Sequence, residues 1–516
     1  MPAPKDTTRA TECRSATGGA AGAGQTDGMA VSNDGEIRFG TPAARWVIGA
    51  MVLGSGIAFL DGTIVNVALP AIGRALKTDV SGLQWTIDAY LVMLTSLLLF
   101  GGALGDRFGR RRVFVIGLVG FTVASVACAF APNSTALALS RAVQGSAGAL
   151  LVPGSLAIIG AAFHDVDRGR AIGAWAGLAG IAGAIGPFVG GWLIDAFSWR
   201  WVFLVNVPLA MVAVAITLRH VPESRADTDQ PLDVAGAVLA AIGLATLCWA
   251  LIESGGGFGP SEAVAGLIGV VTIVAFLVLE HRSSHPMLPL RLFRNRAFSG
   301  ANGTTLAVYA ALGGALFMVV LELQLALNYS ALAAGAALAP MTLLMLLLSS
   351  RAGALAQRIG PRLPMTIGPL VIAIGLLLFT RIAPGVSYVS TVLPAVIVFG
   401  LGLACTVAPL TATVLASVRD AELGVASGVN NAAARLAGLL AVAVLPTLVR
   451  FDTTLPAAVL TGRVADALRI CAVLAVIGAV IAWFTVGSRP VETATRPADL
   501  LIPCYDPCVA GDATAA

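Results

Sequence analysis

The sequence predicts an all-α integral membrane protein with about 14 transmembrane helices. Three observations lead there. Of 516 residues, 57% are hydrophobic and only 12% charged, where a soluble domain carries about 25% charged residues. The apolar residues gather in runs of roughly 20 over nearly the whole length, the span a helix needs to cross a bilayer. The basic residues, almost all arginine, cluster between the runs rather than within them.

Taken in order, spans are expected near 46–72, 83–104, 113–131, 136–161, 171–195 and 201–219, then 234–253 and 263–280, then 298–327, 333–352, 364–382, 391–416, 424–448 and 467–487. Residues 1–44 are rich in Gly, Ala, Thr and Ser and lack apolar periodicity, so they read as a disordered cytoplasmic leader. No short apolar stretch with a basic flank precedes the first run, which argues against a cleaved signal peptide. The expected organisation is a first six-helix bundle at 45–219, a two-helix insert with flanking loops at 220–297, a second six-helix bundle at 298–487 and a cytoplasmic tail at 488–516.

Orientation follows from arginine bias. With the N-terminus in the cytoplasm, cytoplasmic loops hold Arg107, Arg110, Arg111, Arg112, Arg168, Arg170, Arg219, Arg225, Arg282, Arg291, Arg294, Arg296, Arg351, Arg358, Arg362 and Arg419, against Arg74, Lys77, Arg200, Arg381, Arg450, Arg463 and Arg469 outside. The bias places both termini inside. Trp46, Trp85, Trp192, Trp199, Trp201, Trp249 and Trp483 fall near expected helix ends, where an amphipathic ring prefers the interface.

The chain also repeats itself. Gly102-Ala-Leu-Gly-Asp106-Arg107-Phe-Gly109-Arg110-Arg111 follows the second span, and Gly353-Ala-Leu-Ala-Gln357-Arg358-Ile-Gly360-Pro-Arg362 follows the tenth. Matching position and side favour duplication of a six-helix unit over chance likeness of two turns, a known transporter plan.

Five ionisable residues, Asp61, Asp88, Arg141, Glu322 and Arg435, interrupt the apolar runs. A charge near a bilayer centre costs roughly 2.5–3.5 kcal/mol and usually faces a bundle interior or a water-filled path. The expected role is movement of a solute, coupled to protons. Asp61, about fifteen residues into its helix, is a candidate proton carrier; the plainer reading is a helix–helix hydrogen bond near Thr63 or Asn66. Arg141, a permanent cation, is its natural partner, either in a coupling cycle or as a static ion pair. Asp88 is expected near the outer interface, as a coupling acid or a hydrated one. Glu322 reads either as a group that binds a substrate cation or protonates during the cycle, or as a carboxylate in the outer vestibule. Asn66, Gln144, Gln324, Asn431 and Arg435 are candidates to line a substrate cavity, packing between helices being the alternative for Arg435. Asp106 is expected to accept from a neighbouring helix N-terminus, and Arg107, Arg110 and Arg111 to pair with acids or lipid phosphates, so the loop of Gly102, Asp106, Arg107, Gly109, Arg110 and Arg111 reads either as a positive-inside anchor or as a gate latch that holds one conformation.

Other chemistries find little support. The four histidines lie in expected loops, Gly255-Gly-Gly-Phe-Gly259 lacks the Lys-Ser/Thr of a phosphate loop, and no nucleophile or metal constellation stands out. No cofactor or metal is expected, and Cys504 and Cys508 read as unpaired thiols. A net charge of +4, concentrated in loops, suits a membrane surface and not nucleic acid. Arginine-rich, lysine-poor composition suggests a GC-rich bacterial source.

The Gly102–Arg112 loop resembles the signature G-x-L-x-D-R-x-G-R-R/K-R/K of the major facilitator superfamily. Further stretches are similar to its fourteen-helix drug:proton antiporter group: Leu60-Asp61-Gly-Thr63-Ile-Val-Asn66-Val-Ala-Leu69-Pro70 in the first helix, Arg141-Ala-Val-Gln144-Gly145 in the fourth, Gly183-Ala-Ile-Gly186-Pro187-Phe-Val-Gly190-Gly191 in the fifth, and Trp199-Arg200-Trp201-Val-Phe203-Leu-Val-Asn206-Val-Pro208 before the sixth. The resemblance implies the major facilitator fold and a secondary active transporter rather than an enzyme. It also implies alternating access in the inner membrane of a cell, with proton-coupled efflux of amphipathic or cationic small molecules. The fifth-helix motif marks exporters in that family, and Gly186, Pro187, Gly190 and Gly191 become a candidate hinge or seal between halves. A dedicated exporter of one endogenous metabolite, or a proton symporter, are the alternatives.

Overall fold

The computed structural model describes residues 37–226, 231–257, 259–419 and 422–488. Most of the expected leader and all but the first residue of the expected tail, with Cys504 and Cys508, lie outside them. Among the described residues, 14 helices are long and apolar enough to span a membrane. They are α1 (Pro42–Leu76), α2 (Val80–Phe108), α3 (Arg110–Ala129), α4 (Ser134–Ala162), α5 (Val166–Ala196), α6 (Trp201–His220), α7 (Val234–Glu253) and α8 (Pro260–Arg282). The series continues with α9 (Arg296–Leu325), α10 (Ala331–Ile359), α11 (Arg362–Phe379), α12 (Tyr388–Ala416), α13 (Leu423–Leu448) and α14 (Ala457–Thr485).

Local chemistry sets their ends. Thr41, Asp79, Asn133, Asp233, Asn295 and Ser330 each accept a backbone N–H of the turn they precede, satisfying donors that the first turn leaves free. Residues 37–44, expected within the leader, are packed on the bundle: the Ile37 N–H bonds the Ala162 carbonyl at 2.7 Å and α1 begins at Pro42.

The two halves have the same packing plan. Helix α1 packs on α5 and α6, α2 on α4, and α3 on α4 and α6; in the second half α9 packs on α13 and α14, α10 on α12, and α11 on α12 and α14. The backbone repeats too. Gly109 (φ +106°) ends α2 and Gly360 (φ +89°) ends α10, while Lys77 and Asn328, left-handed at φ 51° and 55°, follow α1 and α9. Lys77 and Asn328 stand the same number of residues apart as Gly109 and Gly360, so one unit is used twice. Helices α7 and α8 pack on each other, and α7 also fills the groove between α2 and α13.

Burial shows how the halves meet. At the end carrying the 78, 198 and 328 turns, one continuous core draws on both halves, including Leu69, Phe203, Leu321 and Leu445. Toward the opposite end the first half keeps its own core around Phe114, Phe121 and Phe163, and the second half another around Phe298, Met365 and Leu410. The halves therefore share a core at the 78 end and keep separate cores at the 109 end, where Gly428 of α13 still touches Leu99 of α2.

Candidate functional site

The ionisable residue deepest in α1 anchors the site. Asp61 has no exposed surface and Arg141 has 1%. Arg141 Nη1 donates to Asp61 Oδ2 at 2.5 Å and to Gln144 Oε1 at 2.6 Å, and its Nε donates to the Thr86 carbonyl at 2.9 Å. Gln144 Nε2 donates in turn to Asp61 Oδ1 at 3.0 Å and to Ser125 Oγ at 2.8 Å, and Asn206 Nδ2 donates to Asp61 Oδ1 at 3.3 Å. The guanidinium lies 4.2 Å from the Tyr90 ring centre, a favourable cation–π distance. Removing two charges from water is tolerable only when each is paired and its remaining groups are bonded, and here α1, α2, α3, α4 and α6 together supply the partners.

The arginine–glutamine–glycine spacing on α4 has a geometric reason. Arg141 and Gln144 stand three apart and share one helix face. A Cβ on Gly145 would overlap the Tyr90 carbonyl, so glycine lets α4 approach α2 closely enough for Arg141 to reach the Thr86 carbonyl. Asp61 does not use Thr63 or Asn66. Thr63 donates to the Leu60 and Gly183 carbonyls, and Asn66 to the Gly62 carbonyl.

The other expected site residues divide between places. Asn66 lines a cleft of about 60 Å³ with Thr63, Pro187, Leu316, Leu338 and Thr342, on the seam between halves. Gln144, expected at a cavity wall, is fully buried in the Asp61 cluster. Gln324 is also removed from the cavity: it donates across the seam to the Val67 carbonyl at 2.9 Å, because an amide in that shared core needs an acceptor. Asn431 bonds its own helix at the Ser427 carbonyl, while Asn430 accepts from Thr305. Arg435, halfway along α13, faces the Phe59 ring of α1 at 5.9 Å.

Asp88 is not at a hydrated interface. It has no exposed surface, and among the described residues neither carboxyl oxygen has a hydrogen-bond partner. It sits where α2, α7 and α13 meet around Val92, Cys248 and Leu439. Glu322 is likewise not a vestibule group: it is 1% exposed, with Oε2 unpartnered. Helix packing buries both, against the hydrated reading of Asp88 and the vestibule reading of Glu322.

At the 109 end, Asp106 pairs with Arg110 at 2.8 Å rather than with a helix N-terminus, Arg107 stacks over Phe108 at 5.7 Å, and Gly102 faces Pro153. The loop is clamped by the chain leaving α6. Arg110 N–H bonds the Ser224 carbonyl, Ala226 N–H bonds the Asp106 carbonyl, and Glu223 accepts the Arg111 N–H at 3.0 Å. Glu223 escaped the sequence reading; its one signal is an acid at a helix end otherwise rich in arginine.

The fifth-helix motif serves two interfaces. Gly186 and Gly190 face Thr63 and Ile64 of α1 inside the first half, whereas Gly191 faces Ala331 and Leu332, and Pro187 faces Gly335, across the seam. Farther along the same face toward the 109 end, a Cβ on Gly173, Gly177 or Gly180 would meet no side chain or neighbouring helix within 4 Å among the described residues.

Known proteins bear on this arrangement. The Major Facilitator Superfamily profile matches residues 51–442. The chain belongs to the Major Facilitator Superfamily. This facilitator is 34% identical over 465 residues to the puromycin resistance protein pur8 of Streptomyces alboniger, covering 87% of this chain and 92% of that protein. It is 33% identical to the multidrug resistance protein Stp of Mycobacterium tuberculosis, over 76% of this chain and 73% of that one. A crystal structure of the peptide transporter POT with sulfate shares the fold, with a TM-score of 0.64 at 14% identity, covering 87% of this chain and 97% of that one. This facilitator is thus a multi-pass membrane transporter, and its relatives act in drug and antibiotic resistance.

Proposed function

We propose that the protein exports amphipathic small molecules, drugs or antibiotics among them, in exchange for protons. The sequence left the substrate class as amphipathic or cationic. The observation that carries the reading is the buried Asp61–Arg141–Gln144–Asn206 cluster, set in the half that bears the exporter-type α5 motif. The names of the relatives support efflux as the direction. Asp61, Arg141, Asp88 and Glu322 are the proton-coupling candidates. Asn66 and Arg435 line the substrate path, with Asn431 beside Arg435 on the same helix. Gln144 and Gln324 act as internal braces.

The arginine bias puts the 109 end in the cytoplasm of a bacterial inner membrane, with both termini inside. The crevice then opens to the cytoplasm, ready to load. Proton binding at Asp61 would loosen its tie to Arg141 and Asn206, free the first half to rock on the second, and let the 109 end close along the bare α5 face. The energetics are adequate. About 2.3 kcal/mol per proton at 100 mV comes close to the roughly 2.7 kcal/mol that hundredfold accumulation requires, before any pH gradient.

A susceptibility panel in a bacterial host stripped of its own pumps tests the export reading, and proteoliposomes with an imposed pH gradient test its direction. Inward accumulation of substrate driven by inward protons would refute it.

A further inference from the structure

We infer that Arg435 is the recognition point for an acidic group on the transported molecule, so that the preferred cargo is an amphipathic aromatic anion. This rests on the export reading and deepens it. Arg435 is half-buried at the middle of α13, where the halves face each other. Among the described residues it makes no ion pair and no hydrogen bond, while its neighbours are the Phe59 ring of α1 and the phenols Tyr90 of α2 and Tyr309 of α9.

The contrast with Arg141 carries the inference. Arg141 is closed into carboxylate, amide and carbonyl partners. Arg435 has aromatic surroundings and no anion. The carboxylates that could serve it are engaged or remote. Asp61 is held by Arg141, Gln144 and Asn206, Asp88 lies against the α7 side of the seam, and Glu322 lies toward the far end of α9. A guanidinium presents a fork of N–H donors matched to a carboxylate or phosphate, and in a half-desolvated site such a pair gains strength. The rings beside it offer an apolar, stackable surface to the rest of the molecule. Its mid-helix position sets it far from lipid headgroups, so the anion must arrive on a solute. A cationic molecule would meet repulsion.

Three pyrene probes of equal body test this on purified protein in nanodiscs: pyrenebutyrate, pyrenebutanol and pyrenebutyl-trimethylammonium. The native protein should bind pyrenebutyrate roughly tenfold more tightly than the alcohol, the gain of a charge-assisted hydrogen bond, and the ammonium most weakly. Arg435→Gln should bring acid and alcohol to equal affinity while keeping alcohol binding, which also reports that the variant is folded. Arg435→Lys should keep part of the preference. Native affinities within threefold of one another, or an equal loss for all three probes in Arg435→Gln, overturn the inference and leave export untouched. Failure of every probe to bind, together with no resistance in the stripped host, sinks the export reading and this inference with it.

Discussion

Asp195, at the end of α5, accepts the backbone N–H of Leu332 at 2.9 Å through one oxygen and that of Ala331 at 3.2 Å through the other. One carboxylate from the first half thus caps the first turn of a second-half helix, and it does so at the sealed end of the crevice. Gln84 works in parallel, donating to the Val442 carbonyl at 2.7 Å. These bonds hold the halves together where no covalent link does.

Asp195→Ala should therefore loosen the 78 end without unfolding either half. A lost helix cap costs about 1 kcal/mol, enough to move a balanced two-state equilibrium about fivefold. Spin labels on α5 and α10 near that end should show a larger share of long distances by pulsed electron resonance.

Glycine substitutions should separate folding from gating. Gly145→Val drives a side chain into the Tyr90 carbonyl inside the first half, and overpacking of this kind costs roughly 1–3 kcal/mol or more. Its thermal midpoint and membrane yield should fall. Gly191→Val meets Ala331 and Leu332 across the seam, so the protein can relieve the clash by parting the halves. It should accumulate normally but resist sealing at the 78 end, with increased thiol labelling of a cysteine placed at Leu332.

Removing one member of a buried ion pair strands the other, at a cost of roughly 3–5 kcal/mol. Asp61→Ala should lose most folded protein. Asp61→Asn keeps an acceptor oxygen for Asn206 and Gln144 and should reach the membrane, yet substrate addition should no longer release protons from the purified variant. Proton release at the native level would remove Asp61 from the coupling scheme.

Asp88 and Glu322 carry buried oxygens with no partner among the described residues, an arrangement that costs stability. Asp88→Asn and Glu322→Gln should fold as well as the native protein or better, with thermal midpoints unchanged or raised. If the two acids are kept for coupling, proton-driven transport should fall at least tenfold in each. A stabilised variant with full transport would leave that residue without a role in the cycle.

One ion pair outside the spans gives a pH prediction. Arg419 beside Glu422 donates to its carboxylate at 2.8 Å and holds it below the usual range, with Arg291 adding to the pull. A depressed carboxylate adds stability that is complete above its unfolded value, about 4.3, and is lost as pH falls through the lower folded value. Protection from hydrogen exchange near 288–295, corrected for the intrinsic pH dependence of amide exchange, should therefore hold at neutral pH and fall only under strong acid, and Glu422→Gln should show a lower protection that does not change with acid.

Much of this molecule is legible without coordinates. A run of about twenty apolar residues can cross hydrocarbon only as a helix, since unpaired backbone groups have no water there. That is why all fourteen spans, the doubled turn at Gly109 and Gly360, and the rarity of Asp61, Arg141 and Arg435 stand out in the chain itself. Partnership does not follow from such local rules. The sequence left Asp61 between Thr63, Asn66 and Arg141, Asp88 between a coupling acid and a hydrated one, and Glu322 between a working group and a carboxylate in the outer vestibule. The packing of α1 against α4, α5 and α6 chose Arg141, the docking of α7 between α2 and α13 sealed Asp88, and the seam between halves gave Gln324 to the Val67 carbonyl and left Arg435 without an anion among the described residues. Periodicity tells which side of a helix is apolar; which distant helix meets that side, and how closely, is decided by where glycines let two backbones touch.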